Sequence, residues 1–218
     1  HYDNSGTDVG EAVEIAGPAG TDLSTWSVVL YNGNGGAVYD TDALSGSIPD
    51  LGGGYGVVVL SYPANGLQNG SPDGIALVNG SSVVQFLSYE GSFSAVGGPA
   101  DGMLSVDIGV SENGSGAVGN SLQLTGSGTG ADDFTWAAEA AHTLGAFNSG
   151  QSFSMPLPQL VINEIDYDQP GTDMAEFIEL KNSGFIAVDL SLFELRLING
   201  NGGAVYQTIT LPAVQLAA

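Results

Sequence analysis

The chain has 218 residues, 43% of them hydrophobic, no cysteine, and 24 acidic side chains against two basic ones, for a net charge of -22. That length and apolar content support one large or two small domains with a real core; the lack of cysteine excludes disulfides, thiolate metal sites and cysteine nucleophiles, and no apolar run reaches the roughly 20 residues of a membrane-spanning helix. Residues 1–157 carry 16 acids and no Lys or Arg, a surface that repels phosphate backbones and anionic membranes, so direct nucleic-acid binding and membrane insertion are not expected.

In chain order, short apolar runs alternate with turn dipeptides. "WSVVLYNG" (26–33), "YGVVVLSY" (55–62), "GIALVNG" (74–80), "SVVQFLSYEG" (82–91), "SLQLTG" (121–126), "LVINEIDY" (160–167), "EFIELKN" (176–182) and "ELRLING" (194–200) are rich in Val, Ile, Leu, Tyr and Phe. That composition predicts β-strands. The NG, GG, DG and SG pairs between them supply the positive φ of tight turns, and Asn79-Gly80 in "VNGSSVVQF" predicts a hairpin. Only "TWAAEAAHTLG" (135–145) has a helical composition, closing on a glycine. The expected fold is an all-β sandwich of many short strands, with Trp26 and Trp136 buried in it.

The chain repeats itself. "HYDNSGTDVGEAVEI" (1–15) matches "DYDQPGTDMAEFIEL" (166–180), and "DLSTWSVVLYNGNGGAVY" (22–39) matches "DLSLFELRLINGNGGAVY" (189–206). The expected organisation is a near-complete domain at 1–153, a Pro-rich linker at 154–159 ("SMPLPQ"), and the N-terminal part of a second copy at 160–218. Copy two sets the strand "LVINEI" directly before its "DYD", whereas copy one opens at "HYD". The expectation is therefore a window cut from a longer repeat array, with copy one lacking its first strand.

"INEIDYDQPGTDMAEFIELKN", continued by "VDLSLFELRLINGNGGAVY", resembles the lamin tail domain. "GEAVEIAGPAGTDLSTWSVVLYNGNGGAVYD", "PDGIALVNGSSVVQFLSYEG" and "DFTWAAEAAHTLGAFNSGQSF" in copy one are similar to its bacterial secreted branch, including modules attached to extracellular nucleases. The resemblance implies an immunoglobulin-like β-sandwich and an extracellular or cell-surface location. It carries no catalytic residue onto this sequence.

The acidic loops are the candidate metal sites. "DQPGTD" (168–173) connects the paired strands "VINEIDY" and "AEFIELKN", "DNSGTD" (3–8) repeats it in copy one, and calcium takes six to eight oxygens, often gathered by one loop. Asp3, Asp8 and Glu11, with Asp168, Asp173 and Glu176, form the candidate calcium ligands. Against this stands a turn in which the acids cap backbone N–H groups. Asp132 and Asp133 read as a turn before Trp136. His1 and His142 are the only histidines, no G-x-S-x-G elbow occurs, and "GSGAVG" (114–119) lies in a polar loop with no following helix. No catalytic set emerges, so an enzyme is not expected.

The expected function is a structural or adhesive repeat module. It would assemble with other copies or with neighbouring repeats, head to tail into a filament by strand addition, and be stabilised by cations. The alternative is an accessory module of a secreted metal-dependent nuclease. A carbohydrate-binding sandwich would need a row of exposed aromatics, which the sequence does not present.

Overall fold

The computed structural model describes residues 1–112, 114–153, 160–184 and 187–217. The chain divides into two compact units, His1–Met155 and Pro156–Ala218. The expected linker at 154–159 lies outside the described residues.

In the first unit the strands are β1 (Ala12–Pro18), β2 (Trp26–Asn32), β3 (Val38–Ala43), β4 (Tyr55–Ser61), β5 (Asp73–Asn79), β6 (Ser82–Tyr89), β7 (Val106–Asp107), β8 (Asn120–Gly128), β9 (Phe134–Ala141) and β10 (Gln151–Phe153). One sheet has the order β3-β2-β5-β6-β7; against it stand the pair β1-β4 and the three-stranded sheet β10-β8-β9. This is an all-β sandwich, with no α-helix among the described residues.

The alternation of β2 shows how the core divides. Val28 and Leu30 face a cluster with Tyr2, Leu23, Ile48, Leu67 and Tyr89, joined by Val13 and Ile15 of β1. Val29 and Tyr31 point the other way, into Ala76, Val78, Phe86, Phe93, Ala95 and Ala100. Successive side chains leave opposite faces of a strand, so a run apolar at every position serves two cores at once. The 91–105 segment covers the second face, where the Tyr31 hydroxyl accepts the Ala100 N–H at 3.0 Å.

Two local expectations need correcting. Residues 135–141 of that segment lie in strand β9, paired antiparallel along β8 from Asn120↔Ala141 to Gly126↔Phe134, and 142–145 follow it without helix; the ladder overrides the weak helical preference of its alanines. Trp26 and Trp136 are half-buried rather than enclosed. The predicted hairpin at Asn79-Gly80 is present, with Gly80 at φ 60° between β5 and β6.

In the second unit the strands are β11 (Leu160–Asp166), β12 (Phe177–Asn182), β13 (Val188–Asp189), β14 (Glu194–Ile198), β15 (Val205–Thr210) and β16 (Gln215–Leu216). They form three two-stranded ladders, β11-β12, β13-β16 and β14-β15. Val188 and Asn182 are buried. Lys181 on β12 is exposed, and Arg196 on β14 pairs with Glu194 of the same strand.

The repeat holds down to single hydrogen bonds. In the turn after β2, Asn34 N–H donates to Asn32 Oδ1 (2.7 Å) and Asn32 N–H to Ala37 O (2.9 Å), with Gly35 and Gly36 at φ 101° and 73°. After β14, Asn201 N–H donates to Asn199 Oδ1 (2.8 Å) and Asn199 N–H to Ala204 O (2.8 Å), with Gly202 and Gly203 at φ 100° and 69°. Both hairpins carry a register shift at the same place, Leu30/Tyr31 and Leu197/Ile198. The same eight residues write the same turn in two different settings, so the turn is locally encoded.

Candidate functional site

The acidic loop of the first unit lies between the chain start and β1. Asn4 N–H donates to Asp8 Oδ1 (3.0 Å) and Asn69 Nδ2 to Asp8 Oδ2 (3.1 Å), while Val9 N–H donates to the buried Asn4 side chain (3.0 Å). Glu11 is only 1% exposed and accepts two N–H groups, from Gly66 at 2.7 Å and from Leu67 at 3.0 Å. These oxygens pair the backbone N–H groups of Asn4, Val9, Gly66 and Leu67, donors that a buried loop has to satisfy.

Burial raises the Glu11 carboxyl above the ordinary carboxylate range, against the pull of its two N–H donors. Asp3 is raised as well, by burial and then by the charge of neighbouring Asp8. Asp3 and Asp8 are thus neighbours, but Glu11 spends its carboxylate on the 66–67 turn. Among the described residues no three His, Cys, Asp or Glu side chains gather to hold a metal ion.

The second acidic loop repeats the geometry with less burial. Gln169 N–H donates to Asp173 Oδ1 at 2.9 Å, as Asn4 does to Asp8, and Gly171 (φ 102°) stands where Gly6 (φ 97°) stands. Asp168, Asp173 and Glu176 are all exposed. The loop conformation is shared; the enclosed position of Glu11 is not shared by Glu176.

Sequence reasoning missed the residue that binds the first loop most tightly. Glu112, 1% exposed, accepts Tyr2 N–H at 2.6 Å and Asp3 N–H at 2.7 Å, and its other oxygen lies 2.8 Å from His1 Nδ1. The Tyr2 hydroxyl accepts the Glu112 N–H at 2.8 Å, and its ring stacks on Tyr89 with centroids 3.9 Å apart. Nothing local marks Glu112: it sits in a polar stretch more than a hundred residues away in sequence. Asp73 does comparable work, accepting Gly33 and Gly70 N–H at 2.9 and 2.7 Å. Asp133 caps Thr129 and Gly130 N–H, which hold its carboxyl below the ordinary range. The turn reading of the 132–133 pair is what the geometry shows.

The loop leads into an open strand edge. In β1 the odd residues bond to β4, as the Tyr62 N–H to Glu11 O bond (2.9 Å) in the same register shows. Ala12, Glu14 and Ala16 therefore direct their N–H and C=O groups the other way. There Ala12 exchanges two bonds with His1, at 3.1 and 3.2 Å. Beyond that rung no strand lies on this side of β1 among the described residues.

A cavity of about 410 Å³ borders the edge. All seven residues from Ala12 to Pro18 line it, which alternating side chains alone cannot do, so the cavity runs along the backbone itself. Its other walls are largely apolar, including Leu77, Leu122, Leu124 and Trp136. The arrangement offers free main-chain groups above an apolar floor. It suits an extended peptide better than a reacting substrate. Compared with protein-family models, with curated proteins and with solved structures, the chain matches none.

Proposed function

We propose that the chain is a non-catalytic structural module whose repeated β-sandwich units associate with further copies of the chain or with neighbouring repeats, head to tail. The observation that carries this reading is the repeat itself: the turn after β2 recurs after β14 with the same hydrogen bonds, φ angles and register shift. Repeat units of this kind bury surface against neighbouring units, and a unit at the end of a row leaves surface that a further copy can cover.

In this reading the units are lamin-tail-like, immunoglobulin-like sandwiches working outside the cell or at its surface. A net charge of -22 favours saline surroundings, where screening shortens like-charge repulsion to about 10 Å at 0.1 M salt. Cations support the fold by that screening. Calcium at Asp3, Asp8 and Glu11 would have to share the Glu11 carboxylate with its two backbone donors. Light scattering and electron microscopy over a concentration series test the proposal. Particles that lengthen with concentration support it, and a monomer at every concentration refutes it.

A further inference from the structure

The Asn-Gly pairs that mark turns in this chain are also chemically reactive. Glycine has no side chain to keep its backbone nitrogen at a distance, so that nitrogen can attack the side-chain carbonyl of the asparagine before it. The first unit has such pairs at Asn32, Asn34, Asn65, Asn69, Asn79 and Asn113; Asn113 lies outside the described residues. A pair reacts only when its glycine N–H can leave the contact that holds it.

Four of the five described pairs are locked by acceptors anchored in the fold. Gly33 N–H donates to Asp73 Oδ1 at 2.9 Å, and Gly70 N–H donates to Asp73 Oδ2 at 2.7 Å. Gly66 N–H donates to Glu11 Oε2 at 2.7 Å and to Pro63 O at 2.9 Å. Both carboxylates are buried. Gly80 N–H donates to Thr25 O at 2.7 Å. The Thr25 hydroxyl donates to Asn79 Oδ1 at 2.6 Å and so holds the side chain that would have to turn.

Asn34-Gly35 differs. Among the described residues Gly35 N–H meets one acceptor, Gly33 O, two residues back at 3.0 Å. Asn34 and Gly35 are exposed, and the Asn34 side chain has no hydrogen-bond partner among the described residues. Breaking the Gly35–Gly33 contact disturbs nothing outside the turn.

We propose that Asn34 is a site of spontaneous deamidation, the one described pair of the first unit that the native fold leaves reactive. Hydroxide takes the Gly35 amide proton, and the nitrogen attacks Asn34 Cγ. The new C–N bond closes a five-membered succinimide. The Cγ–Nδ2 bond breaks, and the side-chain nitrogen takes a proton from solvent and leaves as ammonia. Water then opens the ring at either carbonyl, which leaves aspartate or isoaspartate at position 34.

The modified turn is tied to the rest of the unit through Gly36, whose C=O accepts Val96 N–H at 2.8 Å. Isoaspartate lengthens the main chain by one carbon just before that contact, so the Val96 amide should exchange faster in modified chains. For Asn32 and Asn69, leaving the Asp73 carboxylate adds the loss of a charge-assisted hydrogen bond to the barrier, a factor of about 10 to 100 in rate.

The test compares two asparagines within one peptide. The full-length chain is held in mildly alkaline buffer below its melting temperature, with a parallel sample in urea. Chymotrypsin cuts after Tyr31 and Tyr39 and releases residues 32–39. Electron-transfer mass spectrometry then reads Asn32 and Asn34 separately and tells isoaspartate from aspartate. In the native chain Asn34 should convert about 10-fold or more faster than Asn32, and in urea the two rates should agree. Equal rates in the native chain overturn the proposal, and so does a native Asn34 that survives while the urea sample converts. Asp73→Ala should release Asn32 and Asn69 while Asn79 stays unconverted, which marks the variant as folded. A folded variant whose Asn32 remains inert overturns the account. Should the variant not fold, the wild-type comparison decides by itself.

Discussion

Replacing Glu11 by alanine separates a carboxylate that holds a turn from one that holds an ion. Glu11 accepts the Gly66 N–H at 2.7 Å and the Leu67 N–H at 3.0 Å. A hydrogen bond to a charged acceptor contributes about 1.5–3 kcal/mol net, and an orphaned buried donor costs about as much. The two losses are unequal. Gly66 N–H keeps a second acceptor in Pro63 O at 2.9 Å, whereas Leu67 is 3% exposed and its N–H is left with the cavity of the missing side chain.

A full loss of about 2 kcal/mol and a partial one of about 1 kcal/mol give a total near 3 kcal/mol. For a unit of this size each kcal/mol lowers the melting temperature by about 2–4 °C, so the first unit should melt about 6–12 °C lower. Glu11→Gln keeps one acceptor oxygen and should lose roughly half as much. Glu176→Ala, at the exposed counterpart, should fall within about 0.5 kcal/mol of wild type. Calorimetric melts in chelator and in calcium are the assay. A loss of the stated size in chelator supports the hydrogen-bonding account. A shift below about 2 °C in chelator, or a loss seen only in calcium, refutes it.

The pH profile follows from the carboxyls whose values burial raises: Asp3, Glu11, Glu14 and Asp73. A raised folded-state value means the folded chain binds protons more tightly, so stability should increase as pH falls from 7 through those raised values toward about 4.5. Below about 4 the order reverses, as Asp22 and Asp133, both lowered by backbone N–H donors, become protonated and lose those bonds; thermal melts across pH 3–8 check both limbs. Leu30→Ala empties a fully buried position and should cost about 2–5 kcal/mol, against less than half of that for Leu197→Ala, the half-buried equivalent, in denaturant titrations. Gly36→Ala would bring its Cβ to 2.3 Å from Ser94 O at φ 73°, whereas at Gly203, φ 69°, nothing lies within 4 Å. Both substitutions should carry the left-handed penalty of about 1–2 kcal/mol, and only Gly36→Ala should also disrupt the packing of the 91–105 segment, visible in its amide protection.

The strands were legible wherever their composition was strong and their partners lay close in sequence. "GIALVNGSSVVQF" announced both strands of the β5-β6 hairpin and the glycine between them. The 135–145 segment misled because alanine says little about strand partners, and β8 decides its conformation from outside the window. The acidic loop was legible as a turn that recurs, but the depth of Glu11 was not, since burial comes from the distant 66–67 turn. Glu112 was invisible for the same reason: its value lies in a contact with Tyr2 and Asp3 that no local spacing records. The cavity beside β1 was not legible, because its walls come from β1, β5, β8 and β9, which lie far apart in sequence.

The placement of the two basic residues has a consequence for proteolysis. A trypsin-like enzyme cuts after Lys or Arg, so it has only two points of attack, Lys181 within β12 and Arg196 within β14. The first 181 residues, including the whole first sandwich, come through such digestion as one fragment whether or not they are folded. At the two susceptible points a strand must leave its ladder before a protease can grip it, so each cleavage rate measures how often that ladder opens. The chain therefore carries its own reporters of local opening, one on each hairpin of the second unit. A change that loosens β11 from β12 should quicken the cut at Lys181 while that at Arg196 keeps its pace.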